Sequence, residues 1–192
     1  LEDGERNPLA TSSFGVGECI GFALDRGCES VTVGLGGSCT NDGGMGCLRA
    51  LGIRFFDCNG HELAGYGADL ERIARIDESG LHCRARDVSF TVMNDVDNPL
   101  LGPNGATYVF GPQKGATEGN LARLENGMKR FADVIAIHHP NADFATCGYG
   151  AAGGLGMALS VFLGAQLRPG IEELLRWLDF DTVAKGADLV VT

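Results

Sequence analysis

The chain has little positive charge, no closely paired cysteines and no long hydrophobic run, and each shortage removes a class of function. Fifteen Lys and Arg stand against twenty-five Asp and Glu, for a net charge of −10. The basic residues are scattered along the sequence, whereas a nucleic-acid phosphate backbone demands concentrated Lys and Arg. A small anionic ligand is not excluded, because a helix N-terminus and one or two lysines can hold phosphate inside an acidic protein. The longest apolar stretch, Leu155 to Ala165, is broken by glycine and falls short of the ~20 residues that span a bilayer. The opening residues show no basic segment followed by an apolar one, so they do not read as a secretory leader. Seven cysteines, an odd number without a C-x-x-C pair, argue against a disulfide framework. They read as small buried hydrophobes in a reducing, cytoplasmic setting.

Glycine is abundant instead. Thirty of 192 residues is about twice the usual ~7%. The glycines gather near strand ends and helix starts, where backbone turns tightly or approaches a ligand.

The apolar spacing predicts an α/β domain over residues 1–192, with a mixed, mostly parallel sheet flanked by helices. Helices are expected from Ser13 to Arg26, around Leu48 and Leu51, from Asp69 to Ile76, after Thr117, from Gly150 to Gly164, and after Pro169. Ser12 or Ser13 reads as the cap of the first and Gly27 as its stop. Strands are expected at Ser30–Leu35, Ile53–Asp57, Val88–Met93, Thr107–Phe110 and Ala187–Thr192.

Four stretches carry candidate chemistry. Gly36-Gly37-Ser38-Cys39-Thr40-Asn41-Asp42-Gly43-Gly44 joins a strand to a helix, so converging N–H groups and the helix dipole favour an anion there. Ser38, Thr40 and Asn41 add short donors, and Asp42 suits a Mg²⁺ ion or a substrate hydroxyl. The same residues also suit a tight turn with Asn41 or Asp42 as a helix cap. The stretch is neither a Walker A sequence nor a G-x-G-x-x-G fingerprint. In Pro112-Gln113-Lys114-Gly115, the lysine just before a helix is placed to meet phosphate oxygens, or is an ordinary exposed loop lysine. Asp95 and Asp97 follow a strand end, as ligands of Mg²⁺ or as an Asx-type turn into Pro99. Gly148 and Gly150 open a glycine-rich helix start that suits either phosphate or close packing. His138-His139-Pro140 reads as a helix end, since no further ligand stands at metal spacing.

Six stretches, in order, resemble the bacterial glycerate kinase family of the glyoxylate- and galactarate-pathway type. They are Glu5-Arg6-Asn7-Pro8-Leu9 with Thr11, Gly15 and Gly17; Gly34 to Gly44; Asp95 to Leu100; Gly102 to Ala106; Phe110 to Ala116; and Gly150 to Gly156. The resemblance implies ATP as cosubstrate, Mg²⁺ as cofactor, D-glycerate as acceptor and 2-phosphoglycerate as product. It also implies a chain corresponding to the domain inserted into a Rossmann-like partner domain, with residues 187–192 as the returning strand. Family members are longer, and their early Asp-Gly-Gly-Glu-Gly and later Gly-Glu-Gly-Arg segments are absent here. Cys147 and Tyr149 stand where the family often has Pro and Ala. The expected site is Asp42 and Lys114 as catalytic groups, with Asp95 and Asp97 for metal. Gly36, Gly37, Ser38, Thr40, Asn41, Gly43, Gln113, Gly115 and Gly150 would hold substrate and phosphate.

Overall fold

Three short strands set the frame of the computed structural model, which describes residues 5–191. The β-branched run β1 (Ser30–Gly34) lies beside β4 (Ser89–Met93), and β4 lies beside β5 (Gln166–Arg168), all parallel. Parallel neighbours require crossover connections, and here these carry the helices. A separate antiparallel pair joins β2 (Arg54–Asp57) to β3 (Ile73–Asp77). The chain is therefore mixed α/β with a parallel sheet flanked by helices, as its periodicity predicts.

Helix α1 (Phe14–Asp25) buries Ile20 and Leu24 and stops at Gly27, whose φ of 82° is left-handed. Ser13 occupies the cap position without capping, because its hydroxyl is bound elsewhere. Helix α2 (Met45–Ala50) buries Met45, Cys47 and Leu48. Then α3 (Ala106–Phe110) leads through a 3₁₀ turn at Pro112–Lys114 to α4 (Glu118–His138), the longest helix. Leu124, Met128, Phe131 and Ile135 recur on one face of α4 and are buried. Phe131 meets Phe55 of β2 edge-on, with ring centres 5.8 Å apart. Further on, α5 (Leu155–Leu163) packs on the sheet, and α6 (Gly170–Trp177) and α7 (Phe180–Val183) follow β5. Two apolar clusters form the core. One gathers Met45, Leu48, Phe55, Leu70, Met128 and Phe131. The other gathers Ile20, Leu24, Phe90, Val92, Leu155 and Leu159 around the sheet.

Several expectations are corrected. The helix expected from Asp69 to Ile76 is a 3₁₀ turn at Gly67–Arg72 followed by β3. Asp69 accepts hydrogen bonds from the N–H groups of Gly65 and Tyr66, which bends the chain, and the β-branched Ile73 and Ile76 then fit a ladder. The strand expected at Thr107–Phe110 is helix α3. It starts at the extended Gly105, and its buried Thr107 accepts a hydrogen bond from the side chain of Asn41. Strand β5 has three residues, too few to show a period. Residues 187–191 join no ladder among the described residues, and Thr192 lies outside them. Of the seven cysteines, all free, only Cys47 is buried, where loss of solvation pushes its thiol pKa up. Cys19, Cys58, Cys83 and Cys147 are exposed. No helix of the described residues is long and apolar enough to cross a membrane.

Candidate active site

Chain leaving the C-terminal end of β1 enters the glycine-rich loop, and the loop divides in two. Gly36 and Gly37 are exposed, with open space where a side chain would stand. Ser38, Cys39 and Thr40 are half-buried, and Asn41 to Gly44 are fully buried. The open half is available to a ligand. The buried half is structural, since Gly44 is left-handed (φ 77°) and a Cβ there would overlap that of Ala158.

Asp42 organises the buried half. One carboxylate oxygen accepts from the backbone N–H of Ser13 (2.7 Å), the hydroxyl of Ser13 (2.7 Å) and the N–H of Gly46 (3.2 Å). The other accepts from the N–H of Gly44 (3.1 Å). Ser13 Oγ in turn accepts from the N–H of Cys47. Burial raises the Asp42 pKa above the ordinary carboxylate range, and these hydrogen bonds oppose the rise. The residue is 0% exposed, so the accessible carboxylate expected here is instead a clamp between the starts of α1 and α2.

Three further bonds fix the loop. Thr11 Oγ1 donates to the carbonyl of Cys39 (2.9 Å), and Gly43 N–H donates to that of Gly153 (2.9 Å). Lys114 Nζ donates to the carbonyl of Thr40 (2.7 Å). Lys114 is 2% exposed, so the plain loop-lysine reading does not hold. Burial lowers its pKa to about 8, and the neighbouring Asp42 and Cys39 act against that fall. A cavity of about 170 Å³ is lined by Gly36, Gly37 and Ser38 on one side and by Gln113 and Lys114 on the other. The two loops thus meet at one cleft.

A second cavity, of about 330 Å³, adjoins the first through Leu35, Gly36, Ser38 and Ala152. Ser12, Ser13 and Gly15 bring the N-terminal end of α1 to its wall, and Thr40 closes another side. Ala152 stands where the two cavities meet, and its φ of 50° is left-handed although it is not glycine. Ser12, Val16 and Ala152 escaped the sequence reading. Ser12 reads there only as a cap.

The remaining expected residues lie apart. Gly150 is buried and donates its N–H to the carbonyl of Asn98, and a Cβ there would overlap Pro99. Its role is close packing. Gly115 is left-handed (φ 91°) and packs against the backbone of Arg6. Asp95 accepts from the N–H of Gly170 (2.9 Å) at the start of α6 through one carboxylate oxygen, and Asp95 and Asp97 are both exposed. No group of three His, Cys, Asp or Glu side chains poised for a metal occurs among the described residues. Mg²⁺ in phosphoryl-transfer sites commonly takes one or two carboxylates plus the nucleotide phosphates, and Asp95 and Asp97 are the exposed carboxylates of this segment.

Comparison with known proteins addresses the family and the fold. The glycerate kinase family model matches residues 1–192. A glycerate kinase of Bacillus subtilis is 49% identical over 188 residues, covering 98% of this chain and 49% of its own length. A glycerate 2-kinase of Escherichia coli is 45% identical over 190 residues, covering 98% of this chain and 49% of its own. A crystal structure from Salmonella typhimurium LT2, of a protein provisionally named glycerate kinase 2, superposes with a TM-score of 0.92. It shares 47% identity and covers 97% of this chain and 50% of its own. The chain spans about half the length of these relatives. With the whole sequence matched and the fold reproduced, the chain belongs to the glycerate kinase family.

Proposed function

We propose that this chain forms one wall of an active site that transfers the γ-phosphoryl group of ATP to D-glycerate, with 2-phosphoglycerate as product. One observation carries the proposal: Gly36, Gly37 and Ser38 of the glycine-rich loop line one cavity with Lys114 just beyond the C-terminal end of β1, and Lys114 holds the carbonyl of Thr40. Parallel α/β sheets bind ligands at that edge, and the relatives bear the name glycerate kinase.

The acceptor hydroxyl attacks the γ-phosphorus. A new O–P bond forms, the bond to the β,γ-bridging oxygen breaks, ADP leaves with the electron pair, and the hydroxyl proton is released to solvent. Such a transfer demands mostly positioning and neutralised charge. The N–H groups of Gly36 and Gly37, with the hydroxyls of Ser38 and Thr40, fit that demand. Lys114 contributes a point charge at the cavity wall, and Gln113 stands beside it. Mg²⁺, when bound, would screen the nucleotide phosphates, and Asp97 and the free carboxylate oxygen of Asp95 would hold it from this chain. Asp42 is a positioning residue here, shaping the loop through Ser13, Gly44 and Gly46.

The test is coupled ADP release by a polypeptide of the relatives' length that contains these residues, with MgATP and a panel of small hydroxy acids. Phosphorus NMR of the product distinguishes the 2- from the 3-ester. D-glycerate should give the highest kcat/KM, and Lys114→Met should lower it by about 100-fold or more without lowering the Tm. Another hydroxy acid outranking D-glycerate would overturn the substrate assignment. An unchanged rate in the Lys114 variant would overturn the site.

A further inference from the structure

Helix α6 buries one carboxylate and leaves an apolar stripe in water. Glu173 is 5% exposed, held by Arg168 (3.1 Å) and Arg176 (2.8 Å), and the start of the helix is tied down by Asp95. On the outer side Ile171, Leu174, Trp177 and Leu178 recur at helical spacing, with Trp177 55% and Leu178 65% exposed. Val183 of α7 is 74% exposed, and Leu189 and Val191 beyond it are more so. A surface helix normally buries its apolar stripe and solvates its charges. A helix with its apolar stripe exposed, continued by further exposed apolar chain, marks an interface, since large contiguous apolar patches are rare on free surfaces.

We propose that the outer face of α6 and α7 docks the other half of a family-length polypeptide, so that these helices share a core with that half. The relatives supply the reason for choosing this occupant over a second copy. Each aligns with nearly all of this chain yet is about twice as long, leaving an equal length of polypeptide that has to pack somewhere. The glycine-rich site lies on other elements, so the proposal is independent of the substrate assignment.

Trp177, the sole tryptophan of the chain, reports on this face directly. Acrylamide quenching of its fluorescence is measured in the 192-residue chain and in a family-length polypeptide containing it. Subtracting the Trp177→Phe signal isolates this residue in the longer protein. Trp177 should be several-fold less quenchable in the family-length polypeptide, with a blue-shifted emission. Leu174→Glu with Leu178→Glu should lower the Tm of the family-length protein while leaving that of the 192-residue chain unchanged. Equal quenching in the two proteins would overturn the proposal. So would protection of Trp177 in the 192-residue chain that rises with concentration alongside a doubled mass by light scattering, which would assign the face to a second copy.

Discussion

Asp42 and Lys114 are both buried ionisable groups near the same loop, yet their surroundings give them different tasks. Asp42 accepts four hydrogen bonds, three of them from backbone N–H groups that the starts of α1 and α2 would otherwise leave unpaired. Asp42→Asn keeps the shape but turns an NH₂ group toward donors. We expect a loss of about 2–4 kcal/mol by urea unfolding, from one or two stranded donors. A loss under about 0.5 kcal/mol would mean that the clamp carries little of the loop's order. Lys114 has one bond, to Thr40, and a pKa lowered to about 8 from 10.5 in the unfolded chain. Between these values the unfolded state binds more protons, so stability should rise as pH climbs from 8 to 10.5. The cost of burying the charge, about 3 kcal/mol, is fully present below pH 8. Its function has the opposite slope. If cationic Lys114 meets phosphate, kcat/KM for MgATP in the family-length protein should fall above about pH 8, because that ratio reports the free enzyme. A profile flat to pH 10 would remove the lysine from phosphate binding.

At the level of elements, the 3₁₀ turn before α5 is where local geometry and site meet. Ala152 holds a left-handed conformation that costs an L-residue about 1 kcal/mol, at the wall shared by both cavities. Ala152→Gly relieves that strain and should stabilise the chain by up to about 1 kcal/mol. Gly153→Ala should do the reverse by a larger amount, because its Cβ would overlap the carbonyl of Thr40. Equilibrium urea unfolding of both variants checks the pair, and a destabilised Ala152→Gly would show that the strain is not relieved by glycine. The sequence made the long helix α4 and the strands β1 and β4 readable, because their apolar residues repeat at one period and face one cluster. It concealed β3 behind a helical spacing that Leu70, Ile73 and Ile76 also satisfy, and their pairing with β2 is a tertiary fact. The glycine-rich loop was legible as a special turn. Its division into an open and a buried half was not, since that depends on Phe131 and Ala158 arriving from α4 and α5.

For the whole molecule, the 36–40 loop leaves a parallel strand and meets Lys114 at one cleft, but only the first of these was readable from a strand-to-helix junction, because the strand expected before Lys114 is helix α3. The burial of Asp42 was not readable, because its partner Ser13 lies 29 residues away. These elements line their cavities from one half of a family-length polypeptide. A kinase must hold the γ-phosphorus, the acceptor oxygen and the leaving oxygen nearly in line and keep water away. Effective molarities for well-oriented groups correspond to roughly 7–11 kcal/mol of barrier, and a site lacking much of its enclosure forfeits most of that. The 192-residue chain by itself should therefore fold, with two apolar clusters to hold it, yet show no appreciable D-glycerate phosphorylation. The measurement is circular dichroism to establish folding, followed by ADP release at saturating ATP, Mg²⁺ and D-glycerate. Each 1.36 kcal/mol is tenfold in rate, so turnover should lie at least about 1,000-fold below that of the family-length protein. A rate within tenfold of that protein would mean that every group needed for in-line transfer already resides on this chain.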